Sequence, residues 1–487
     1  MYTLEFVHLK STQYFVIKLN SFLENLNCTV NVPDSYRERA IYGLEMLFLP
    51  FRVQLNFEST GESKGVSLYY GPATPDLPKD TVHLGFVTEN ATFFEGSTPF
   101  PAVERYLKVG EYRVPVLFNG SGDTSFDAVA TTFFYLSGWQ ESKSLKRDEH
   151  GRFPFSESIQ SRYDLAEQPT VDWYRHVVAE LLRKKGLRLE RKTWGEKTWA
   201  FCPTHDIDYD KKWRPGIIKR EVVDRFMLNH ERESWAARLA RLGGSMKSAI
   251  QAEDPFRVAF QRMREEVQAK GGRATYFLKS GGRGLRDVSY SLTDPFVFSQ
   301  LSALHKGGFE IALHPSYHSF KNPEKFLAEK AALEDVCGFA VTAHRAHYLR
   351  FEMPSSAALL DSAGFEIDST LGFATRGGFR FGTCLPFPLF DLNQNRKLKT
   401  WELPLCMMDS ALFNRQQLDA NQAADYTNEL MNVCRDFGGV FVGLWHNTLW
   451  DETDFPGWGA HFLSTLAHSE RNKASIDSLK GALNSWK

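Results

Sequence analysis

The chain has no uninterrupted run of the roughly 18 apolar residues that a membrane-crossing helix needs, so no membrane span is expected. It has no excess of either charge. Lys and Arg number 58 against 59 Asp and Glu, a net charge of -1, which leaves no electrostatic footprint for nucleic acid or an anionic membrane surface. Its six cysteines (Cys28, Cys202, Cys337, Cys384, Cys406 and Cys434) show no Cys-x-x-Cys spacing, which argues against a thiolate zinc site and for reduced, mostly buried thiols. Neither an internal repeat nor a low-complexity tract is present. The first 19 residues carry Glu5, His8, Lys10 and Lys18 among apolar ones, so they lack a signal-peptide core and a lipidation motif; a cytoplasmic location is the expectation.

What is present is a long chain of globular composition. Its 487 residues exceed one ordinary domain, and 43% hydrophobic content with 39 Phe suits thick cores. In the N-terminal part, apolar runs at 2–6, 14–19, 66–70, 82–87 and 112–117 read as strands separated by turn signals. A helix is expected at 128–136, then a charged loop at 146–152. Residues 171–187 form an amphipathic helical pattern with apolar positions three and four apart, closing on Lys-Lys-Gly. The polar stretch 188–197 reads as a linker.

Beyond it the rhythm changes. Seven apolar runs (199–203, 273–278, 309–313, 340–343, 365–367, 400–405 and 440–445) alternate with helical patterns such as 256–270, 322–336 and 421–437. That alternation implies βαβ units with parallel strands, and seven such strands can close as a barrel. In a βα barrel the reactive groups sit at the C-terminal strand ends. Here those ends carry Asp206 and Asp208, His314 and His318, His344 to Tyr348, Asp368, and His446 with Asn447.

Taken singly, each cluster has a bland reading beside the chemical one. Asp206 and Asp208 are two like charges that want a cation or a proton between them, or a solvated turn. His314 and His318, four apart, share one face of a helical turn and with a carboxylate would leave zinc an open position; two ordinary histidines fit the same spacing. Pro315 stands where the zincin motif has Glu, so a base must come from elsewhere, and Asp206 is available. Arg345 is either a surface cation or the partner of a carboxylate. His446, ending a buried strand, is a satisfied core histidine or a general acid, its ordinary pKa near 6.5 suiting that role.

Together, Thr204-His-Asp-Ile-Asp208, His314-Pro-Ser-Tyr-His318, Arg345-Ala-His-Tyr348 and Leu444-Trp-His446 resemble the ordered motifs of the polysaccharide deacetylases, the NodB-homology carbohydrate esterases, over roughly residues 198–450. The N-terminal half, including Asp148-Glu-His-Gly-Arg-Phe153, looks like the uncharacterised domain that precedes this catalytic domain in some bacterial members. The resemblance implies an α/β fold: a distorted seven-stranded (β/α) barrel at 198–487, preceded by a separate α+β domain at 1–190. It implies Asp206 as general base, with Asp208, His314 and His318 holding a divalent metal, zinc foremost. It further implies Arg345 as the group orienting Asp206, the Tyr348 backbone N–H as oxyanion donor, and His446 as general acid with Asp368 behind it.

Three departures stand out. Ile207 separates aspartates that are adjacent in the family, His347 replaces the proline before Tyr348, and Asp368-Ser-Thr-Leu-Gly-Phe373 only approximates the fourth motif. The implied activity is a hydrolase removing acetyl groups from the N-acetylated sugars of a polysaccharide or oligosaccharide. The alternatives are a metal-dependent hydrolase of a small non-sugar amide and a non-catalytic glycan-binding or assembly protein; the completeness of the set stands against the last. Residues 210–270 and 377–382 are candidates for substrate walls, or equally for helical padding and a tight turn.

Overall fold

The computed structural model describes residues 24–57, 66–103, 105–109, 112–214, 243, 253–282, 286, 287 and 290–486; the apolar runs at 2–6 and 14–19 and most of 210–252 lie outside them. The N-terminal part holds a four-stranded sheet of β1 (Glu24–Val30), β2 (Val53–Asn56), β3 (Ser67–Gly71) and β4 (Thr81–Gly85) in the order β2-β1-β3-β4. All its pairings are parallel, and helix Asp34–Phe48 makes the crossover from β1 to β2, unlike the α+β arrangement expected. A hairpin of β5 (Tyr106–Val109) and β6 (Tyr112–Pro115) follows. Helix Ala128–Leu136 is buried at every position, and the side chain of Asp127 caps it by accepting from the Ala130 N–H at 2.9 Å.

The rest of the chain builds one large sheet from β7 (Ala200–Ile207), β8 (Thr275–Leu278), β9 (Glu310–Leu313), β10 (Ala343–His344), β11 (Ile367–Asp368), β12 (Phe387–Asp391), β13 (Arg396–Glu402), β14 (Leu405–Met408), β15 (Val440–Leu444) and β16 (Ser475–Ile476). Hydrogen bonds run in the order β12-β13-β11-β10-β9-β8-β7-β15-β14, with β16 added to β7. Only β12 is antiparallel to its neighbour. β13 and β14 are consecutive in the chain, yet one pairs with β11 and the other with β15, so the sheet curls back on itself. The fold is thus mixed α/β.

The crossover helices start where the sequence caps them. Asp254, Asp294 and Asn322 each accept a hydrogen bond from a first-turn N–H, and each is followed by proline at the first helical position. Because the strands are parallel and in register, with Ile207 beside Leu278, Leu278 beside Leu313, and Leu313 beside His344, their C-terminal ends meet on one face. Among the described residues no helix is long and apolar enough to cross a membrane.

The two halves share a buried seam. Phe133 packs on Phe390 with ring centroids 5.2 Å apart, and Tyr42 donates its hydroxyl to the Pro388 carbonyl at 2.8 Å. Arg175 reaches Asp172, Thr383 and the Met46 carbonyl, all buried. The stretch 188–197 is no loose linker: Trp194 is buried against Trp486, and Lys192 donates its N–H to the Pro50 carbonyl. The loop at 377–382 also belongs to the seam, with Phe379, Arg380 and Phe381 buried, so it is not a substrate wall. A cavity of about 440 Å³ lined by Met46, Leu49, Phe51, Pro388, Leu398 and Trp401 lies on the seam, and none of the strand-end residues lines it.

Arg380 donates twice to the Glu141 carboxylate, at 2.7 and 2.6 Å, with both side chains buried. Glu141→Ala leaves a buried guanidinium without its counter-charge, a loss of about 3–5 kcal/mol. Urea unfolding followed by tryptophan fluorescence should show the midpoint lowered accordingly. A loss below about 1 kcal/mol would mean that the pair is solvated.

Candidate active site

The site begins at the end of β7. Strand alternation puts Thr204, Asp206 and Asp208 on one side, with His205 and Ile207 on the other. His205 packs on Tyr276 and Phe462 and its Nδ1 lies 3.3 Å from the Trp445 carbonyl; burial pushes its pKa down to about 3, so it is a neutral core residue. Ile207 is fully buried in the hydrophobic core. The insertion that separates the aspartates therefore keeps both carboxylates on the same face.

Asp206 is held by Arg345. The guanidinium is completely buried and donates to Asp206 Oδ1 at 3.1 Å, Thr204 Oγ1 at 2.7 Å, and the carbonyl and hydroxyl of Ser369 at 2.7 and 2.9 Å. Its flat face lies 4.2 Å from the Phe277 ring centroid. This packing leaves the Asp206 carboxylate one orientation.

Asp208 meets two imidazoles. Its Oδ1 lies 3.4 Å from His314 Nε2 and 3.3 Å from His347 Nε2, and that buried oxygen makes no hydrogen bond. The far nitrogens are both engaged: His314 Nδ1 lies 2.8 Å from the Arg345 carbonyl, and His347 Nδ1 lies 3.1 Å from Asp287 Oδ1. Both partners accept only, so each Nδ1 carries the proton and each Nε2 of a neutral ring presents a lone pair. Among the described residues, Asp208, His314 and His347 thus bring three ligand atoms within 4.8 Å of one another. Two imidazole nitrogens and one carboxylate oxygen with orienting partners are a donor set that fits a divalent cation, zinc in particular.

Electrostatics agree with that reading. Burial alone would raise the Asp208 pKa, but the His347 and His314 rings hold it well below the usual carboxylate range. Burial would likewise lower that of His347, and the Asp208 charge outweighs it, so the His347 pKa is raised. Asp287 is buried too, yet hydrogen bonds from His347 and the Tyr317 N–H, with Lys279 nearby, pull it down to about 2. Gly282, at φ 90°, lets the chain pass here: a Cβ on it would lie 2.8 Å from Asp287 Cγ.

His318, expected in the metal set, is exposed and takes no part in this group. Residues 314–318 do not form the helical turn that would put positions four apart on one face. Ser316 is extended (φ -65°, ψ 160°), its N–H and hydroxyl held by Glu329, and only a short 3-10 turn follows at Tyr317–Ser319. His347, noted in the sequence only as a departure, stands in the group instead.

Asp368 is not behind His446. It accepts from His344 Nδ1 and from the Thr370 hydroxyl, both at 2.7 Å, because β11 lies between β10 and β13, across the sheet from β15. His446 is held by Asp409, one residue beyond β14 on the strand beside β15: Oδ1 lies 2.6 Å from His446 Nδ1, and Oδ2 accepts the His446 N–H at 2.7 Å. Burial opposes the charged ring, but Asp409 first, then Asp208 and Asp206, push the His446 pKa up to about 10. His446 Nε2 lies 3.8 Å from Asp208 Oδ2, facing the cluster. Sequence reasoning missed Asp409 because the strand expected at 400–405 ends before β14 does. Asp287 carries no motif, and only the rule that a metal-bound histidine needs a partner pointed to such a residue.

Tyr348 sits at the rim beside His347, ring centroids 4.7 Å apart, its side chain partly exposed and its backbone left-handed (φ 60°, ψ 15°).

Residues 29–187 match the model of a family of unknown function, DUF7033. No curated protein matches the chain. Among solved structures, the chain is similar to a protein from Mycobacterium smegmatis described as a polysaccharide deacetylase, at 18% identity and a TM-score of 0.38, over 59% of this chain and 90% of that one. It is also similar to a wild-type CE4 family pseudoenzyme from Bacillus anthracis, at 7% identity and 0.30 over 59% and 66%. A family 4 carbohydrate esterase from Streptomyces lividans in complex with acetate aligns at 13% identity and 0.26 over 44% and 83%. At such identities and scores these likenesses assign no activity, and the site stands on its own geometry.

Proposed function

We propose that the chain is a metal-dependent hydrolase that removes acetyl groups from the N-acetylated sugars of a polysaccharide or oligosaccharide, in a barrel closed by the β13–β14 stretch and preceded by a distinct N-terminal unit. The observation that carries this is the meeting of Asp208 Oδ1, His314 Nε2 and His347 Nε2 beside a carboxylate fixed by Arg345 and an imidazole fixed by Asp409. The substrate class comes from the ordered motifs to which these residues belong.

When bound by Asp208, His314 and His347, a divalent cation supplies Lewis acidity at the reaction centre. Asp206, oriented by Arg345, takes a proton from the attacking water as its oxygen bonds to the acetamide carbon. The Tyr348 N–H donates to the developing oxyanion. His446 passes its Nε2 proton to the sugar nitrogen as the carbon–nitrogen bond breaks, leaving acetate and a free amine, while Asp409 stabilises the imidazolium until then.

Acetate release from N-acetylated chito-oligosaccharides, measured beside release from small cyclic amides, tests the reading; hydrolysis of the cyclic amides alone would move it to the second class. Asp206→Asn should keep stoichiometric zinc by elemental analysis while kcat falls about 10²- to 10⁴-fold. Near-normal turnover in that variant would remove Asp206 as the base. His347→Ala should lose stoichiometric metal and His318→Ala should retain it; the reverse pattern would restore His318 as the ligand.

The pH profile tests the acid. A group raised to about 10 stays protonated through neutral pH and loses its proton above that value. Asp409→Asn removes the foremost charge that raises it, so the alkaline limb of kcat should move to lower pH than in the wild type. An unmoved limb would mean that another group is the acid.

A further inference from the structure

Tyr348 and Leu349 are consecutive non-glycine residues in the left-handed region, at φ 60° and 53°. Such a conformation is unfavourable for a residue that carries a Cβ and persists only where its surroundings impose it. Part of what imposes it here comes from the other half of the chain. Arg152 Nη1 donates to the Tyr348 carbonyl at 2.8 Å across 196 residues of sequence. Arg152 is itself braced: its Nε donates to Asp148 Oδ2 at 2.7 Å, and Asp148 Oδ1 accepts the N–H groups of His150 and Arg152 at 2.9 and 3.0 Å. The turn is tied down a second time where Arg350 Nε donates to the His150 carbonyl at 2.7 Å. His150 then lays its ring 4.8 Å from the ring centroid of Tyr348.

We propose that the Asp148–Arg152 turn is a working part of the active site and that Arg152 is a positioning residue, holding the Tyr348 backbone so that its N–H faces the reacting carbonyl. This rests on the function proposed above, which makes that N–H an oxyanion donor. It gives the N-terminal half a part in the chemistry that no resemblance assigns to it. The side chain is suited to this because one planar guanidinium grips the Asp148 carboxylate and the Tyr348 carbonyl together, so the peptide after Tyr348 is fixed relative to a rigid turn. Arg152 acts through the Tyr348 backbone.

Two measurements on the full-length zinc-loaded protein test it. In a crystal structure of Arg152→Ala, the Tyr348 φ should leave the left-handed region; a φ still near 60° with the site otherwise intact overturns the proposal, whatever the enzyme's substrate. In acetate release from chito-oligosaccharides, Arg152→Ala should lower kcat roughly 10- to 100-fold with KM and zinc content near those of the wild type. Added guanidinium ion should restore part of that loss, as should Arg152→Lys, which keeps a donor near the Tyr348 carbonyl. A kcat unchanged in Arg152→Ala, or a loss that guanidinium does not relieve, overturns it as well. Wild-type protein that releases no acetate defeats the functional reading instead, and the crystal structure still decides the hold on Tyr348.

Discussion

Three buried carboxylates around the candidate site each have a cationic side chain set against them. Asp206 faces Arg345 at 3.1 Å, Asp409 faces His446 at 2.6 Å, and Asp287 has Lys279 at 3.6 Å. Asp208 Oδ1 meets His314 and His347, whose Nδ1 protons already point the other way, while its Oδ2 lies 3.8 Å from His446 Nε2. Two imidazole lone pairs and a carboxylate oxygen turned toward one another favour a positive charge between these three atoms. The Asp208 charge raises the His347 pKa against the effect of burial, the same preference for positive charge at this point. A divalent cation bound there would supply that charge.

The surrounding residues follow from this constraint. An imidazole that is to hold a metal needs its ring turned and its tautomer fixed. The ring of His314 is held by the backbone of Arg345, whose side chain also orients Asp206, so His314 and Asp206 share one anchor. A shift of the strand end that moved His314 would also move the guanidinium behind the base, and the dense packing of Arg345 on Phe277, Thr204 and Ser369 makes such a shift expensive.

How much of this could be read in the sequence depends on what set each position. The alternating rhythm beyond residue 198 marked β7, β8, β9, β10, β11, β13 and β15 of the ten-stranded sheet, because buried parallel strands are short apolar runs whatever lies around them, and it passed over β12, β14 and β16. Asp206, Asp208, His314, Arg345 and His446 stood out because strand ends and spacing are local properties. His318 misled because a four-residue spacing means a shared face only on a helix, and Pro315 with an extended Ser316 makes no helix there. Asp409 and Asp287 were illegible for another reason: each is chosen by which strand or loop lies beside it in space. The same holds for the N-terminal sheet, whose parallel pairing depends on crossovers that turn signals do not reveal.

Acid and base are also joined through the sheet. Leu403 and Pro404 form the bend between β13 and β14, where the chain leaves the β11 side of the sheet for the β15 side. The Leu403 N–H donates to the Asp368 carbonyl, and its own carbonyl accepts the hydroxyl of Ser369, which in turn accepts from Arg345 Nη2. Past the bend, the same stretch ends in Asp409 and so fixes His446. The bend thus sets Arg345, and through it Asp206, on one side and Asp409 with His446 on the other. A substitution that relaxed it, far from any reacting atom, would loosen the proton acceptor and the proton donor together. That coupling is a property of the curled sheet, in which consecutive strands pair far apart on the hydrogen-bond path, β13 with β11 and β14 with β15.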